Sequence, residues 1–274
     1  MKKCIIFFPK ISSSGLPDAF SWWMQAAATY GIDAKICFFE DFGFAKLRDK
    51  PDFVVMRGYD SRISLFYENQ GVKVINTWEA MDCSHNKWKT YTALLDKSIP
   101  TPFTVLINNK TTFDSLAKEL GTPFVVKQTN GSQGYNVYLV NTTQEYLEAY
   151  GQCQYNAIAQ KYISTSHGHD VRVWVIGNHA VACVLRYSKS SFISNYSQGG
   201  QAKSYPLTAD IAKLAVDASN ACGLFFSGVD LLFAPDGNFT VCEVNGNAGF
   251  RTLSEVSDFN ILNTFFSSLE DYDN

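Results

Sequence analysis

The chain has 274 residues, ample to bury a core without disulfide staples and enough for two compact units or one large one. Hydrophobic residues make up 46% and charged residues 18%, which excludes a disordered chain. The net charge of -3 speaks against a nucleic-acid partner, and no apolar run approaches the ~18 residues of a membrane helix. The first apolar run, residues 4–8, is ended by Pro9 and Lys10 with no cleavage site after it, so it reads as a buried first strand and not a signal peptide. A Ser-rich turn at 12–17 leads to a helix over 20–30, a strand over 34–39 and a strand over 53–56 that ends at Arg57 and Gly58. A helix over 63–70 stops at Gly71, and a strand follows over 72–75. Strands alternating with helices predict a parallel α/β sheet in a first unit that ends near residue 80.

Beyond it the pattern changes. A helix over 88–95, an extended stretch at 99–104 and a helix over 113–120 closed by Gly121 precede two β runs, 123–128 and 137–140, separated by a Gly-rich turn. Strand, Gly-loop, strand is a hairpin order, unlike the strand-to-helix order of a Rossmann or Walker loop. Strands are predicted at 157–163, 171–176, 180–187, 228–233 and 239–244, with one long helix at 208–222 capped by Gly223. Consecutive strands without helices between them imply antiparallel sheets, so the back half is α+β. The cysteine count is odd, seven, with no CxxC, which predicts reduced core thiols in a cytoplasmic protein.

Four groups of residues carry chemistry. Asp230 lies in one predicted strand, and Glu243 and Asn245 lie two apart on one face of the next. A hairpin register would gather the three, and hard oxygen ligands without His or Cys suit Mg²⁺ completed by phosphate and water. Lys127 ends an apolar strand just before the loop Gly131-Ser132-Gln133-Gly134, where it can meet phosphate as a point charge while the loop closes with backbone N–H groups; Lys87 is a second such cation. The run Gln160-Lys161-Tyr162-Ile163 offers an extended backbone to an adenine edge. Asp170 and Arg172 share a strand face, where a structural salt bridge is the simpler reading; His167 and His169 sit in a Gly-containing turn with no third ligand nearby. Arg186, Ser194 and Asn195, with Gly199 and Gly200, suit a phosphate or an anionic intermediate.

In this order the pieces resemble the RimK-like branch of the ATP-grasp carboxylate–amine ligases, over about residues 57–262. The resemblance rests on Gly71-Val72-Lys73-Val74-Ile75-Asn76, Asn86-Lys87, Ile99-Pro100-Thr101-Pro102, Phe124-Val125-Val126-Lys127 and Gly131-Ser132-Gln133-Gly134. It continues through Gln160-Lys161-Tyr162-Ile163, Asp170-Val171-Arg172, Asn195, Gly199-Gly200, Gly228-Val229-Asp230 and Glu243-Val244-Asn245. It implies an ATP-grasp fold: a small N-terminal parallel α/β domain at 1–80, a central subdomain with the Gly-rich loop at 81–165, and a C-terminal subdomain with the metal and catalytic residues at 166–274. It also implies roles. Lys87 and Lys127 would contact ATP phosphates; Lys161, Tyr162 and Ile163, with Gln160, would form the adenine linker. Asp170 would contact nucleotide or position substrate. Ser194 and Asn195 would reach toward phosphate, and Asp230, Glu243 and Asn245 would hold Mg²⁺, or Mn²⁺ in its place. Arg172 and Arg186, with Asn195, would stabilise the acyl phosphate and the tetrahedral intermediate.

The reaction so implied joins a small acid or peptide carboxylate to an amine, glutamate or another amino acid, with release of ADP and phosphate. A nucleotide-binding regulator with a degenerate site and an ATP-grasp kinase are the alternatives. Ligases of this type are often dimers or tetramers, so the resemblance extends to a homo-oligomer. Two positions depart from the family pattern: Lys161 stands where Glu is usual, and Ile193 where Arg is usual. Ile193 marks a changed acid or acceptor pocket, and Arg251 is a candidate compensating cation.

Overall fold

The computed structural model describes residues 1–10, 17–43, 50–131, 134–194 and 200–271. Its first sheet contains β1 (Lys3–Phe8), β2 (Asp33–Phe38), β3 (Phe53–Met56) and β4 (Lys73–Ile75), all parallel, in the order β2-β1-β3-β4. Every residue of β1 from Cys4 to Phe8 is buried, as a parallel strand covered on both faces requires. Helices α1 (Pro17–Thr29) and α2 (Ser61–Glu68) supply the cover, and Asp60 caps α2 by accepting from the N–H groups of Arg62 and Ile63.

Helices α3 (Trp78–His85) and α4 (Lys87–Asp96) meet at Asn86, whose side chain accepts from the N–H groups of Trp88 and Lys89 and so starts α4 at Lys87. The second sheet, β5 (Thr104–Leu106), β6 (Phe124–Gln128), β7 (Val137–Val140) and β8 (Ala157–Lys161), is antiparallel in the order β5-β8-β6-β7. The Gly-rich turn joins β6 to β7, so the expected hairpin is present. Helices α5 (Phe113–Leu120) and α6 (Thr143–Gln152) cover this sheet with a core that includes Leu116, Phe124, Tyr146 and Ala159. The third sheet is antiparallel, in the order β11-β10-β9-β12-β13. Its strands are β9 (His169–Ile176), β10 (His179–Tyr187), β11 (Gln201–Ser204), β12 (Phe226–Phe233) and β13 (Phe239–Asn245), and α7 (Ala209–Ala221) packs against it.

Two further helices, α8 (Arg251–Ser254) and α9 (Ile261–Asp271), were not expected from the sequence. The apolar face of α9 enters the core of the first sheet, where Trp23 of α1 meets Phe265 and Phe266 edge-on at ring-centre separations of 5.2 and 5.8 Å. Asn76, just past β4, ties the same regions together. Its amide donates to the carbonyls of Phe226 and Gly246, and its oxygen accepts from the N–H groups of Phe225 and Phe226. The strands of the three sheets occupy successive stretches of the chain, 3–75, 104–161 and 169–245, while Ala80, Met81 and Leu94 of α3 and α4 pack on the third sheet. Among the described residues no helix is long and apolar enough to cross a membrane.

Candidate active site

The site is a cleft between the second and third sheets, about 790 Å³ including its open mouth. Its cationic end, with Lys87 and Lys127, is built from the ends of two elements. Lys127, near the end of β6, directs Nζ to the Gln160 side-chain oxygen at 2.7 Å and to Cys242 Sγ at 3.5 Å. Lys87, first in α4, donates to the Gly131 carbonyl at 2.7 Å and lies 3.3 Å from Glu243 Oε1. The Lys87 N–H also donates to the Thr129 carbonyl, so the start of α4 is bonded directly to the foot of the Gly-rich loop. Gly134, Lys161, Tyr162, Ile163 and Ser194 line the same cleft. Ser132, Gln133 and Asn195 lie outside the described residues.

The floor is a line of alternating charges across three strands. Asp170 faces Arg186 in the β9–β10 register, and Arg172 faces Asp230 in the β9–β12 register. Arg186 holds Asp170 in a two-point grip at 2.7 and 2.6 Å, Arg172 holds Asp230 the same way at 2.6 and 2.6 Å, and Arg186 also reaches Asp230 at 3.0 Å. Asp170 and Arg172, neighbours on one face, thus each pair across the sheet and not with each other. Burial alone would raise the Asp230 pKa, but Arg172 and Arg186 outweigh it and hold the carboxyl below its ordinary value. Burial pulls the Arg186 pKa down, and Asp170 and Asp230 more than reverse that. Gly228 leaves room for this grip: a Cβ there would stand 2.7 Å from the Ala248 Cβ and 3.5 Å from the Arg172 side chain.

The oxygen ligands expected for Mg²⁺ do come together. Asp230 pairs directly with Glu243 across β12 and β13, and the Asn245 amide donates to Asp230 Oδ2 at 3.4 Å and to the Gly228 carbonyl at 3.2 Å. The register slips between Asp230 and Leu231, where Leu231 pairs with Val241, so Cys242 is the extra residue of a β-bulge. Val241 stays in the core while Cys242 and Glu243 both face the cleft. Two carboxylates and an amide oxygen are hard donors of the kind Mg²⁺ takes with outside ligands, with both Asp230 oxygens here bonded to Arg172 and Arg186. Among the described residues no three His, Cys, Asp or Glu side chains converge into a closed metal cage.

The walls are apolar. Val125 lies two residues before Lys127 on the same face of β6, Val137 pairs with Lys127 across the hairpin, and Leu232 lies two after Asp230. The sequence pattern does not single out this apolar slot, although the period-two spacing from the charged residues locates Val125 and Leu232. Phe192 and Ile193 close the mouth; Arg251 is exposed at the start of α8 and is not among the cleft-lining residues. The two histidines do not form a metal pair: His169 packs on Phe233 with Nδ1 at the His167 carbonyl, and His167 meets the Tyr162 hydroxyl.

Residues 84–269, most of the chain and all of this cleft, match the RimK-like ATP-grasp domain. The chain belongs to the RimK-like ATP-grasp family. One relative, the N-acetylaspartylglutamate synthase A of Mus musculus, is 32% identical over 225 residues, covering 77% of this chain and 59% of its own length. The chain therefore spans little more than half the length of that relative. A probable alpha-L-glutamate ligase of Haemophilus influenzae is 28% identical over 208 residues, covering 74% of this chain and 68% of its own. Among solved structures, D-cycloserine synthetase DcsG superposes with a TM-score of 0.78 at 18% identity over 98% of this chain and 99% of that one. The D-alanine–D-alanine ligase of Bacillus anthracis complexed with ATP gives 0.76 at 16% identity over 99% and 97%. These likenesses establish the ATP-grasp fold, with its N-terminal parallel sheet and two antiparallel sheets.

Proposed function

We propose that the protein is an ATP-dependent carboxylate–amine ligase that forms an amide through an acyl phosphate, releasing ADP and phosphate, with glutamate or another amino acid as the amine. The observation that carries this reading is the convergence of Lys87, Lys127, Asp230 and Glu243 on one cleft with an apolar slot at its other end. Such a cleft offers a flat base an apolar seat and offers a polyphosphate two ammonium groups. The names of the relatives, synthases and ligases of glutamate, support the amine.

A carboxylate is a poor acyl donor because its leaving group is oxide, and phosphorylation replaces that with phosphate. Lys87 and Lys127 bind and orient the transferred phosphoryl group. Bound Mg²⁺, held by Asp230, Glu243 and Asn245, would neutralise charge that builds up on the phosphate oxygens. Arg172 and Arg186 lie beneath the cleft, each paired with a carboxylate, and would favour the oxyanion of the intermediate where an N–H group turns from that carboxylate to the reacting one. Phe192, Ile193 and the Gly-rich loop exclude water that would hydrolyse the acyl phosphate. Ile193 supplies no charge where the family pattern has Arg, so the acid is recognised by other groups. Seven cysteines without a disulfide support a reduced, cytoplasmic setting.

The alternative of a nucleotide-binding regulator draws on Asp230, both of whose oxygens are already gripped by arginines. One experiment separates the readings: Mg-ATP with pooled amino acids and candidate acids, followed by ADP release and product mass. A ligase gives amine-dependent ADP and a mass equal to two reactants less water. A kinase gives a stable phosphorylated metabolite, and a regulator gives ATP binding without turnover; either result overturns the ligase.

A further inference from the structure

Gln160 was expected to belong to the adenine linker, yet its side chain points along a different route. It is 5% exposed and its two polar ends are both taken. The oxygen accepts from Lys127 Nζ at 2.7 Å, and the amide nitrogen donates to Thr104 Oγ1 at 3.0 Å. The Thr104 hydroxyl, itself buried, donates onward to the Pro102 carbonyl at 2.8 Å. The direction of every bond is forced. An ammonium can only donate, so the Gln160 oxygen must face it; the Thr104 proton is committed to Pro102, so its oxygen must accept.

The far end of this chain is anchored to the strand that carries Glu243. The Val241 N–H donates to the Pro100 carbonyl at 2.8 Å, and Thr101 Oγ1 donates to the Val241 carbonyl at 2.9 Å. Lys127 on the second sheet is thus aimed from a segment bonded to the third sheet. The choice of residue matters: a lysine stem is flexible, and a carboxylate here would steady the ammonium but cancel its charge. A neutral amide steadies it and leaves the charge for phosphate.

We propose that Gln160 is a positioning residue for Lys127, aimed by Thr104, and that its side chain acts on the phosphate end of the nucleotide and not on the base. The proposal rests on the reading of the cleft as an ATP site. The test is calorimetric binding of Mg-ATP and of adenosine to the full chain, wild type and variants. Gln160→Leu is expected to weaken Mg-ATP roughly tenfold, equivalent to ~1.4 kcal/mol, and to leave adenosine unchanged. Thr104→Val is expected to weaken Mg-ATP less, and the double variant to be no weaker than Gln160→Leu, because Thr104 acts through Gln160. A merely structural role would lower both ligands together. Equal loss of adenosine and Mg-ATP, unchanged Mg-ATP binding, or additive losses in the double variant each overturn the proposal. Should Gln160→Leu not fold, Thr104→Val alone decides: selective loss of Mg-ATP supports the proposal and parallel loss refutes it. Wild-type protein that binds adenosine but gains nothing from the phosphates would overturn the ATP reading itself, and the proposal with it.

Discussion

Asp170→Asn is the sharpest probe of the charged floor. The line Asp170–Arg186–Asp230–Arg172 contains two cations and two anions and is balanced. Arg186 is 3% exposed, so its charge cannot turn to water. Asparagine keeps one acceptor oxygen but no charge, leaving two guanidiniums to share Asp230. Breaking a buried pair in this way costs about 3–5 kcal/mol, and the retained hydrogen bond places this case near ~3 kcal/mol. For chains of this size that is a fall in Tm of roughly 6–12 °C. Scanning calorimetry at pH 7 reads it directly. Asp217→Asn serves as control, because Lys213 and Asp217 form an exposed pair one helical turn apart and contribute below ~0.5 kcal/mol. Adding Arg186→Met to Asp170→Asn should regain part of the loss, since no buried charge is then stranded. A Tm for Asp170→Asn within ~2 °C of wild type would refute the argument that the floor is held by balanced buried charge.

Three further outcomes are expected. Because the Asp230 carboxyl is held below its ordinary pKa, its contribution is full above the unfolded value of ~3.9 and is lost as pH falls through the folded value; Asp230→Asn should be less stable at pH 7 and flatter between pH 5 and 3 in thermal melts. Gly168 has φ +68°, and a Cβ there would meet the backbone oxygens of Ser191 and Ser188 at 2.7 and 2.9 Å. Gly168→Ala should therefore push away the 188–192 segment that brings Phe192 to the cleft, lowering Tm and weakening ATP in the same calorimetric assay. Asn76→Ala strands two buried carbonyls and two N–H groups, a loss of about 3 kcal/mol or more, to be read as a lower urea midpoint.

The regular elements were legible where pattern and punctuation agreed. The bounds of β3, α5 and β7 coincide with the predicted runs, because β3 and β7 are compact apolar stretches bounded by polar residues and α5 is an amphipathic stretch stopped by Gly121. Helix α3 was missed because its buried residues, Ala80, Met81 and Ser84, make a weak apolar stripe. Strand β11 was missed because Gln201, Lys203 and Ser204 are exposed on a sheet edge, where no alternation is imposed. Helix α6 carries a capping box, Thr142 with Glu145, that is readable in the sequence. In the site, strict alternation would have put Val241 and Glu243 on one face. Only the bulge at Cys242 separates them, and a bulge depends on the partner strand, which no local pattern reports. The cross-sheet pairing of Asp170 and Arg172 was hidden for the same reason: two residues apart says which face, not which neighbour.

The placement of α9 has a consequence for how the protein is made. Trp23 waits for Phe265 and Phe266, some 240 residues later in the chain, before its core closes. A ribosome adding roughly 5–20 residues per second leaves that apolar surface of β1 and α1 uncovered for about 12 to 50 seconds. Of the three sheets, the first is synthesised before the other two and is finished only when α9 arrives. Heat-shock holdases and low growth temperature should thus raise the soluble yield of this chain more than any change to its surface charge, and removal of α9 should send the product to inclusion bodies by way of its N-terminal strands.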